Sequence, residues 1–133
     1  MKKLALVSII SFSVFFTVSS QANTVTLTVE NNSAEKIDLS AGSPYGLPAS
    51  VPPKTTKTVI LEFGGTRSDI TAIYQRFGNK AACKFTASHI VKGQNSVTFN
   101  KSAAQSGTIK ATCRADQSPN YTTHNYSATF AVY

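Results

Sequence analysis

The chain of 133 residues contains two cysteines, which lie in two similar segments, KAACK at residues 80–84 and KATCR at residues 110–114. A cysteine pair can supply a nucleophilic thiolate, two ligands for a metal ion, or a disulfide bond. A reducing compartment favours the first two, and an oxidising compartment favours the third. The compartment therefore decides what Cys83 and Cys113 can do.

The N-terminal segment has the features of a secretory signal peptide over residues 1–22. MKK is a cationic start, residues 4–18 are mostly apolar, and SQA places small residues before a cut after Ala22. The apolar run is shorter than the ~20 residues that a membrane span needs, and we expect no transmembrane segment in the mature chain. The protein is predicted to be secreted or periplasmic. Cys83 and Cys113 are then predicted to form a disulfide bond, worth roughly 3–4 kcal/mol for a loop of about 30 residues.

Few other side chains could do chemistry. The two histidines, His89 and His124, lie in polar segments without metal-binding spacing, and the six acidic residues are scattered singly. The sequence contains no nucleophile-elbow, phosphate-binding or dinucleotide-binding motif. It therefore predicts no enzyme activity, no metal site and no cofactor.

Charge is a stronger signal. The predicted mature domain, residues 23–133, has 11 lysines and arginines against six acidic residues. A balance of this sign favours acidic partners such as anionic glycans or lipid headgroups, although solubility alone can also account for it. We do not expect nucleic acid to be a physiological ligand.

The elements that must position these charges are strands, because apolar residues recur with a period of two along most of the mature chain. TVTLTVEN, TTKTVILEF, ITAIYQRF and YSATFAVY are typical of strands with one buried face. Residues 41–54 contain four of the five prolines and are predicted to form a stiff surface loop. We expect one all-β domain of about eight strands, an antiparallel β-sandwich that is Ig-like or a flattened barrel.

One hairpin register can be predicted, between residues 70–77 and 80–88. A two-residue turn at GN would pair Ile73 with Lys84, whereas a three-residue loop pairs Ile73 with Phe85. The second register collects the apolar side chains on one face, so it is the predicted one.

The cations beside the cysteines have two possible arrangements. Alternation along a strand puts both cysteines on the buried face and the neighbouring cations outside. If the disulfide joins neighbouring strands of one sheet, the outer surface there carries a basic patch of Tyr74, Arg76, Lys84, Lys110 and Arg114. If it joins two sheets, the same cations lie on opposite outer walls as ordinary solvated side chains.

Two long loops present aromatic residues. Tyr45 stands in the proline-rich segment, and Tyr121 and His124 stand in SPNYTTHN. Tyrosine among Asn, Ser and Thr is typical of binding loops, because its flat ring supplies contact area at low entropic cost. The predicted ligand-binding residues are Tyr45, Tyr74, Lys84, Lys110, Arg114 and Tyr121.

The ending YSATFAVY resembles the C-terminal strand of chaperone-usher fimbrial subunits, which implies assembly by edge-strand pairing, through this strand or the first one. VENNSAEKIDL followed by VPPKTTKTVIL resembles the layout of many secreted sandwiches, including the lipid-binding aegerolysins. The leading hypothesis is a secreted, non-catalytic module that binds an anionic glycan or another cell-surface component, as in adhesion. An inhibitor or effector that binds another protein is a further alternative.

Overall fold

The computed structural model describes residues 23–93 and 96–133. The predicted signal peptide lies outside the described residues. Within them the chain forms strands and no helix, and thus no helix long and apolar enough to cross a membrane. The strands are β1 (Asn23–Asn31), β2 (Ile37–Ser43), β3 (Ser50–Val51), β4 (Thr55–Phe63), β5 (Arg67–Arg76), β6 (Ala82–Val91), β7 (Val97–Ser106), β8 (Cys113–Pro119) and β9 (Tyr126–Val132).

These nine strands form two sheets that pack face to face, which confirms the predicted all-β sandwich. One sheet has four strands in the order β4-β1-β9-β8, and the other has five in the order β3-β2-β5-β6-β7. Neighbouring strands are antiparallel except β1 and β9, which are parallel. The ninth strand, which the sequence does not predict, is the short β3, within the proline-rich segment 41–54.

The core lies between the sheets and follows from the alternation of buried and outward-facing residues, which is strict in β1. In β1, Val25, Leu27 and Val29 are fully buried, while the threonines between them face outward. Phe85 of β6 stacks on Phe130 of β9, with ring centroids 4.8 Å apart. Because these strands belong to opposite sheets, the stacked rings join the two layers of the core.

The predicted disulfide bond between Cys83 and Cys113 is present, and it joins the two sheets. Cys83 lies near the start of β6 in the five-stranded sheet, and Cys113 begins β8 in the four-stranded sheet. The arrangement with the disulfide inside one sheet, which would create a single basic patch, is therefore wrong.

The predicted register of the β5–β6 hairpin is also wrong. Ile73 pairs with Lys84, not with the phenylalanine that follows it. The observed register puts Ile70, Ala72 and Tyr74 of β5 on the core face, where all three are buried. A one-residue shift would expose these three side chains, so their burial decides the register.

The segment SGTIKATCRA has the alternation typical of a strand, but it does not form one continuous strand. β7 continues through KSAAQS, and β8 begins only at Cys113, so Ile109 and Lys110 lie in the connecting loop. Gly107 opens this loop with a φ of +95°, which glycine adopts without steric cost. Small polar residues suit the end of β7 because it is an edge strand with a partner on one side only.

The first and last strands are interior strands. β1 lies between β4 and β9, and β9 lies between β1 and β8. Their backbone groups are therefore paired on both sides, and the edge pairing inferred from YSATFAVY is not available unless a strand leaves the sheet.

The two ends of the sandwich carry different loops. One end, which holds the disulfide, carries loops 32–36, 52–54, 77–81 and 107–112, and the opposite end carries loops 44–49, 64–66 and 120–125. At the disulfide end, Asn31 Nδ2 of β1 also donates to the carbonyl of Val51 in β3, at 2.9 Å. A covalent bond and a buried hydrogen bond thus connect the two sheets there.

Candidate anion-binding surface

Cations are concentrated at the end of the sandwich that holds the disulfide. From residue 23 onward, eight of the 11 lysines and arginines lie in the loops of this end or within three residues of a strand terminus there. By the same criterion three acidic residues, Glu30, Glu35 and Asp38, belong to it alone, Asp116 in the middle of β8 counts for both ends, and the opposite end has two further acids against two cations. We call it the basic end; its cations are Lys36, Lys54, Lys57, Arg76, Lys80, Lys84, Lys110 and Arg114.

Most of these cations have no acidic partner in the part of the chain that the structure describes. Lys36 Nζ lies 3.5 Å from Asp38, and Arg114 Nε lies 3.0 Å from Asp116, which Lys101 of β7 also approaches to 3.7 Å. Among the described residues, no carboxylate lies within 4.0 Å of the other six cations of the basic end. Their mutual repulsion would fall if an anion bound between them.

The three predicted cations belong to the basic end but not to one face of it. Lys84 projects from the outer face of the five-stranded sheet, paired with Ile73 and Ala104 of the neighbouring strands. Arg114 is exposed on the outer side of the four-stranded sheet, and Lys110 is exposed in loop 107–112. They surround the end of the sandwich and do not form the flat patch that one of the predicted arrangements required.

The prediction that Tyr74 lies beside Lys84 on the outer surface is wrong. The Tyr74 side chain is fully buried, and its hydroxyl donates to the carbonyl of Pro48 at 2.7 Å. Burial raises the pKa of Tyr74 well above its ordinary value. The register explains the difference, because Tyr74 pairs with Cys83 and both side chains face the core.

Phe77, in the turn between β5 and β6, brings an aromatic ring to the basic end. Its side chain is 62% exposed. Lys36 Nζ lies 4.8 Å and Lys80 Nζ lies 5.3 Å from the centroid of its ring. Both distances are within the ~6 Å over which a cation is attracted to an aromatic face.

Contacts with loop 32–36 fix the turn that carries Phe77. The Phe77 N–H donates to the carbonyl of Lys36 at 2.9 Å, and the Asn79 N–H donates to Glu35 at 3.3 Å. Gly78 is packed so closely on Glu35 that a Cβ there would lie 2.6 Å from the carboxylate. The turn is therefore held to the neighbouring loop by backbone hydrogen bonds and by close packing on the Glu35 side chain.

Two lysines of the basic end have left-handed backbone conformations. The φ angle is 56° at Lys54 and 62° at Lys80. Glycine or asparagine adopts this conformation at lower cost than lysine. Backbone preference therefore does not account for lysine at either position; at Lys54 the ammonium group donates to the Asn32 carbonyl at 2.5 Å.

The two predicted tyrosines of the loops lie at the opposite end, on different edges. Tyr45 is fully exposed beside Ile60 of the edge strand β4. Tyr121 packs edge-on against Phe99 of β7, with ring centroids 5.2 Å apart. The six residues predicted from the sequence therefore do not form one site.

A buried serine–histidine pair also lies at the opposite end. Ser68 Oγ is 2.8 Å from His89 Nδ1 and 2.8 Å from the Tyr126 hydroxyl. His89 Nε2 lies 3.4 Å from the carbonyl of Gly65, which assigns the proton to Nε2 and makes Nδ1 accept from Ser68. Burial lowers the pKa of His89 and raises the pKa of Tyr126. Because Ser68 is buried, its hydroxyl is not placed to attack a substrate.

Sequence reasoning missed Lys36, Lys54, Phe77 and Lys80. Each stands in a turn or directly beside a strand, and alternation does not predict which turns meet at one end of a sandwich. The available signal was the lysine next to GN in the β5–β6 turn, but its neighbours depend on the order of the strands.

In the part of the chain that the structure describes, no three His, Cys, Asp or Glu side chains are grouped as metal ligands. No protein-family model matches the chain, and no curated protein shows significant similarity to it.

Proposed function

We propose that the protein is a secreted, non-catalytic binding module that recognises an anionic glycan through its basic end. The observation that carries the proposal is the concentration of eight of 11 cations at one end of the sandwich. Cations spread evenly over the surface would serve solubility at a lower electrostatic cost. Cations gathered at one end raise the local concentration of a polyanion and the rate at which it associates.

The arrangement of the cations suits an extended ligand. Lys84 and Arg114 lie on opposite outer walls, and Lys54, Lys80 and Lys110 lie in loops between them. A chain with repeated anionic groups can contact several of these positions at once. Six of the eight cations are lysines, whose flexible stems and compact charges adapt to variable spacing of anionic groups.

Secretion is part of the proposal. It is supported by the signal-peptide features of residues 1–22 and by the disulfide bond, which is compatible with an extracellular location. Outside the cell, polysaccharides that carry sulfate, phosphate or uronate groups are ligands of suitable charge for the basic end.

The test compares two variants with the same net charge. Lys54→Glu with Lys110→Glu reverses two cations of the basic end, and Arg67→Glu with Lys92→Glu reverses the two cations of the opposite end. Binding of dextran sulfate and of uncharged dextran is measured on protein purified after secretory expression, at two salt concentrations. We expect salt-sensitive binding of dextran sulfate that the first variant loses and the second retains, because screening weakens exposed charge pairs.

Three results would overturn the proposal. Equal losses in the two variants would mean that net charge alone attracts the polyanion. Equal binding of dextran and dextran sulfate would remove the anionic group from recognition. A wild-type protein that bound neither dextran sulfate nor a polyuronate would leave the basic end without a glycan ligand.

A further inference from the structure

We propose that Phe77, Lys36 and Lys80 form a subsite for one acidic sugar residue, that is, a sugar that bears a sulfate or carboxylate group. The inference rests on the proposed function and names the ligand chemistry of one part of the basic end. The apolar face of the sugar ring packs on the Phe77 ring, and the anionic group of the sugar binds the ammonium groups of Lys36 and Lys80.

The first support is the spacing of the three groups. The two Nζ atoms lie 4.8 Å and 5.3 Å from the centroid of the Phe77 ring. A ring and two cations at this separation match a sugar whose anionic group projects from the edge of its ring. The hydrogen bond from the Phe77 N–H to the Lys36 carbonyl, at 2.9 Å, joins the backbones of the two residues, so both side chains start from fixed positions before any ligand arrives.

The second support is that the present contacts of the lysines can be exchanged for contacts with a ligand. An exposed cation–aromatic contact is weaker than a charge-assisted hydrogen bond to sulfate or carboxylate. Lys36 and Lys80 can therefore turn from the ring to an anion, which uncovers the aromatic face for the sugar. Phe77 is already 62% exposed, so packing against a sugar removes apolar surface from water.

Two carboxylates near the subsite predict which of the two lysines contributes more to binding of the anion. Asp38 lies 3.5 Å from Lys36 Nζ, and Glu35 is bound to the backbone N–H of Asn79. Lys80 has no carboxylate within 4.0 Å among the described residues. We therefore expect Lys80 to contribute more than Lys36 to binding of the anion.

The same geometry favours a sugar over a lipid bilayer. An aromatic residue that anchors a protein in a membrane must reach the boundary of the hydrocarbon, below the charged headgroups. The Glu35 carboxylate is bound to the Asn79 N–H in the same turn, so insertion of the ring would bring this carboxylate toward hydrocarbon. A sugar that stays in water does not impose this cost.

Binding of dextran sulfate and unsulfated dextran, measured by titration calorimetry, tests the subsite. The variants are Phe77→Ala, Phe77→Tyr, Lys80→Gln and Lys36→Gln, and Tyr121→Ala is the control, because Tyr121 is an exposed aromatic residue at the opposite end. We expect Phe77→Ala to weaken binding of dextran sulfate about tenfold at low and at high salt, and Phe77→Tyr and Tyr121→Ala to change it less than about twofold. Lys80→Gln should weaken binding mainly at low salt, and more than Lys36→Gln does.

The outcomes separate the subsite from the proposed function. If Phe77→Ala binds like the wild type while Lys54→Glu with Lys110→Glu does not, the subsite is overturned and the proposed function stands. If the wild type binds no anionic polysaccharide, both fall. Binding to phosphatidylglycerol vesicles but not to dextran sulfate, with loss in Phe77→Ala, would overturn the subsite in favour of a lipid surface. Thermal unfolding of each variant, with the wild-type midpoint as reference, checks that the fold is retained.

Discussion

Cys83 and Cys113 join opposite sheets of the sandwich at its basic end, with Cα atoms 5.7 Å apart. Loop 77–81 leads into the strand of the first cysteine, and loop 107–112 leads into the strand of the second. KAACK and KATCR therefore have related positions: each begins with a lysine in a loop of the basic end and continues to a cysteine that faces the partner sheet. The disulfide connects β6 and β8, the strands that follow two of the cation-bearing loops.

Removal of this connection should cost much of the stability. We expect replacement of both cysteines by alanine to lower the free energy of unfolding by about 3–4 kcal/mol, because the bond closes a loop of about 30 residues in the unfolded chain. Urea denaturation of the variant and the wild type measures the difference. A loss below about 1 kcal/mol would show that the fold does not depend on this link between the sheets.

Tyr74→Phe should reduce stability and leave ligand binding unchanged. The substitution removes the hydrogen bond to the Pro48 carbonyl and leaves that buried acceptor unpaired, which costs about 1–3 kcal/mol. The expected result is a lower midpoint in urea with dextran sulfate binding equal to that of the wild type. A variant that kept the wild-type stability but lost dextran sulfate binding would show that Tyr74 belongs to the ligand surface, as the sequence pattern predicts.

The burial of Tyr74 also shows which parts of the fold can be predicted from the sequence. Alternation in β1 and over most of β9 is enough to predict strands with one buried face, and hence a sandwich. β5 carries apolar residues on both faces, with Ile70, Ala72 and Tyr74 on one and Ile73 on the other. Alternation alone does not predict which face of β5 is buried. Packing against the second sheet decides which face enters the core.

The position of the basic end could not be predicted from the sequence, for a different reason. Lys54 and Lys80 are separated by 26 positions in the chain, and they meet at one end only because β3 and β6 belong to a sheet of a particular strand order. Strand order depends on pairings between distant segments, which no local pattern encodes. The sequence could predict a surplus of cations but not their common position.

His89 should make the stability depend on pH. Burial lowers the pKa of His89 in the folded protein below the ordinary value of 6.5, with smaller effects from the Gly65 carbonyl, His124 and Asp69. The unfolded chain therefore takes up this proton at higher pH than the folded protein does. The contribution of His89 is complete above pH 6.5 and is lost as the pH falls through 6.5 toward the lower folded pKa.

Urea denaturation between about pH 8 and about pH 5 measures this effect. His89→Gln should flatten the decline in the free energy of unfolding below pH 6.5, because glutamine does not titrate. His124→Asn is the matched control and should retain most of the decline. If His89→Gln and the wild type lost stability in parallel, other groups would be responsible for the pH dependence.

Lys80→Asn should improve stability while it weakens binding. Lys80 has a φ of 62°, and asparagine adopts this left-handed conformation at lower cost, so the free energy of unfolding should rise by roughly 0.5–1 kcal/mol. The same substitution removes a cation that has no acidic partner among the described residues and lies 5.3 Å from the Phe77 ring, so the affinity for dextran sulfate should fall. Lys92→Asn at the opposite end should change neither quantity by a comparable amount. A gain in the free energy of unfolding together with a loss of affinity would mean that lysine is kept at a strained position for its charge. A variant that was more stable and bound dextran sulfate as well as the wild type would show that Lys80 is not part of the ligand surface.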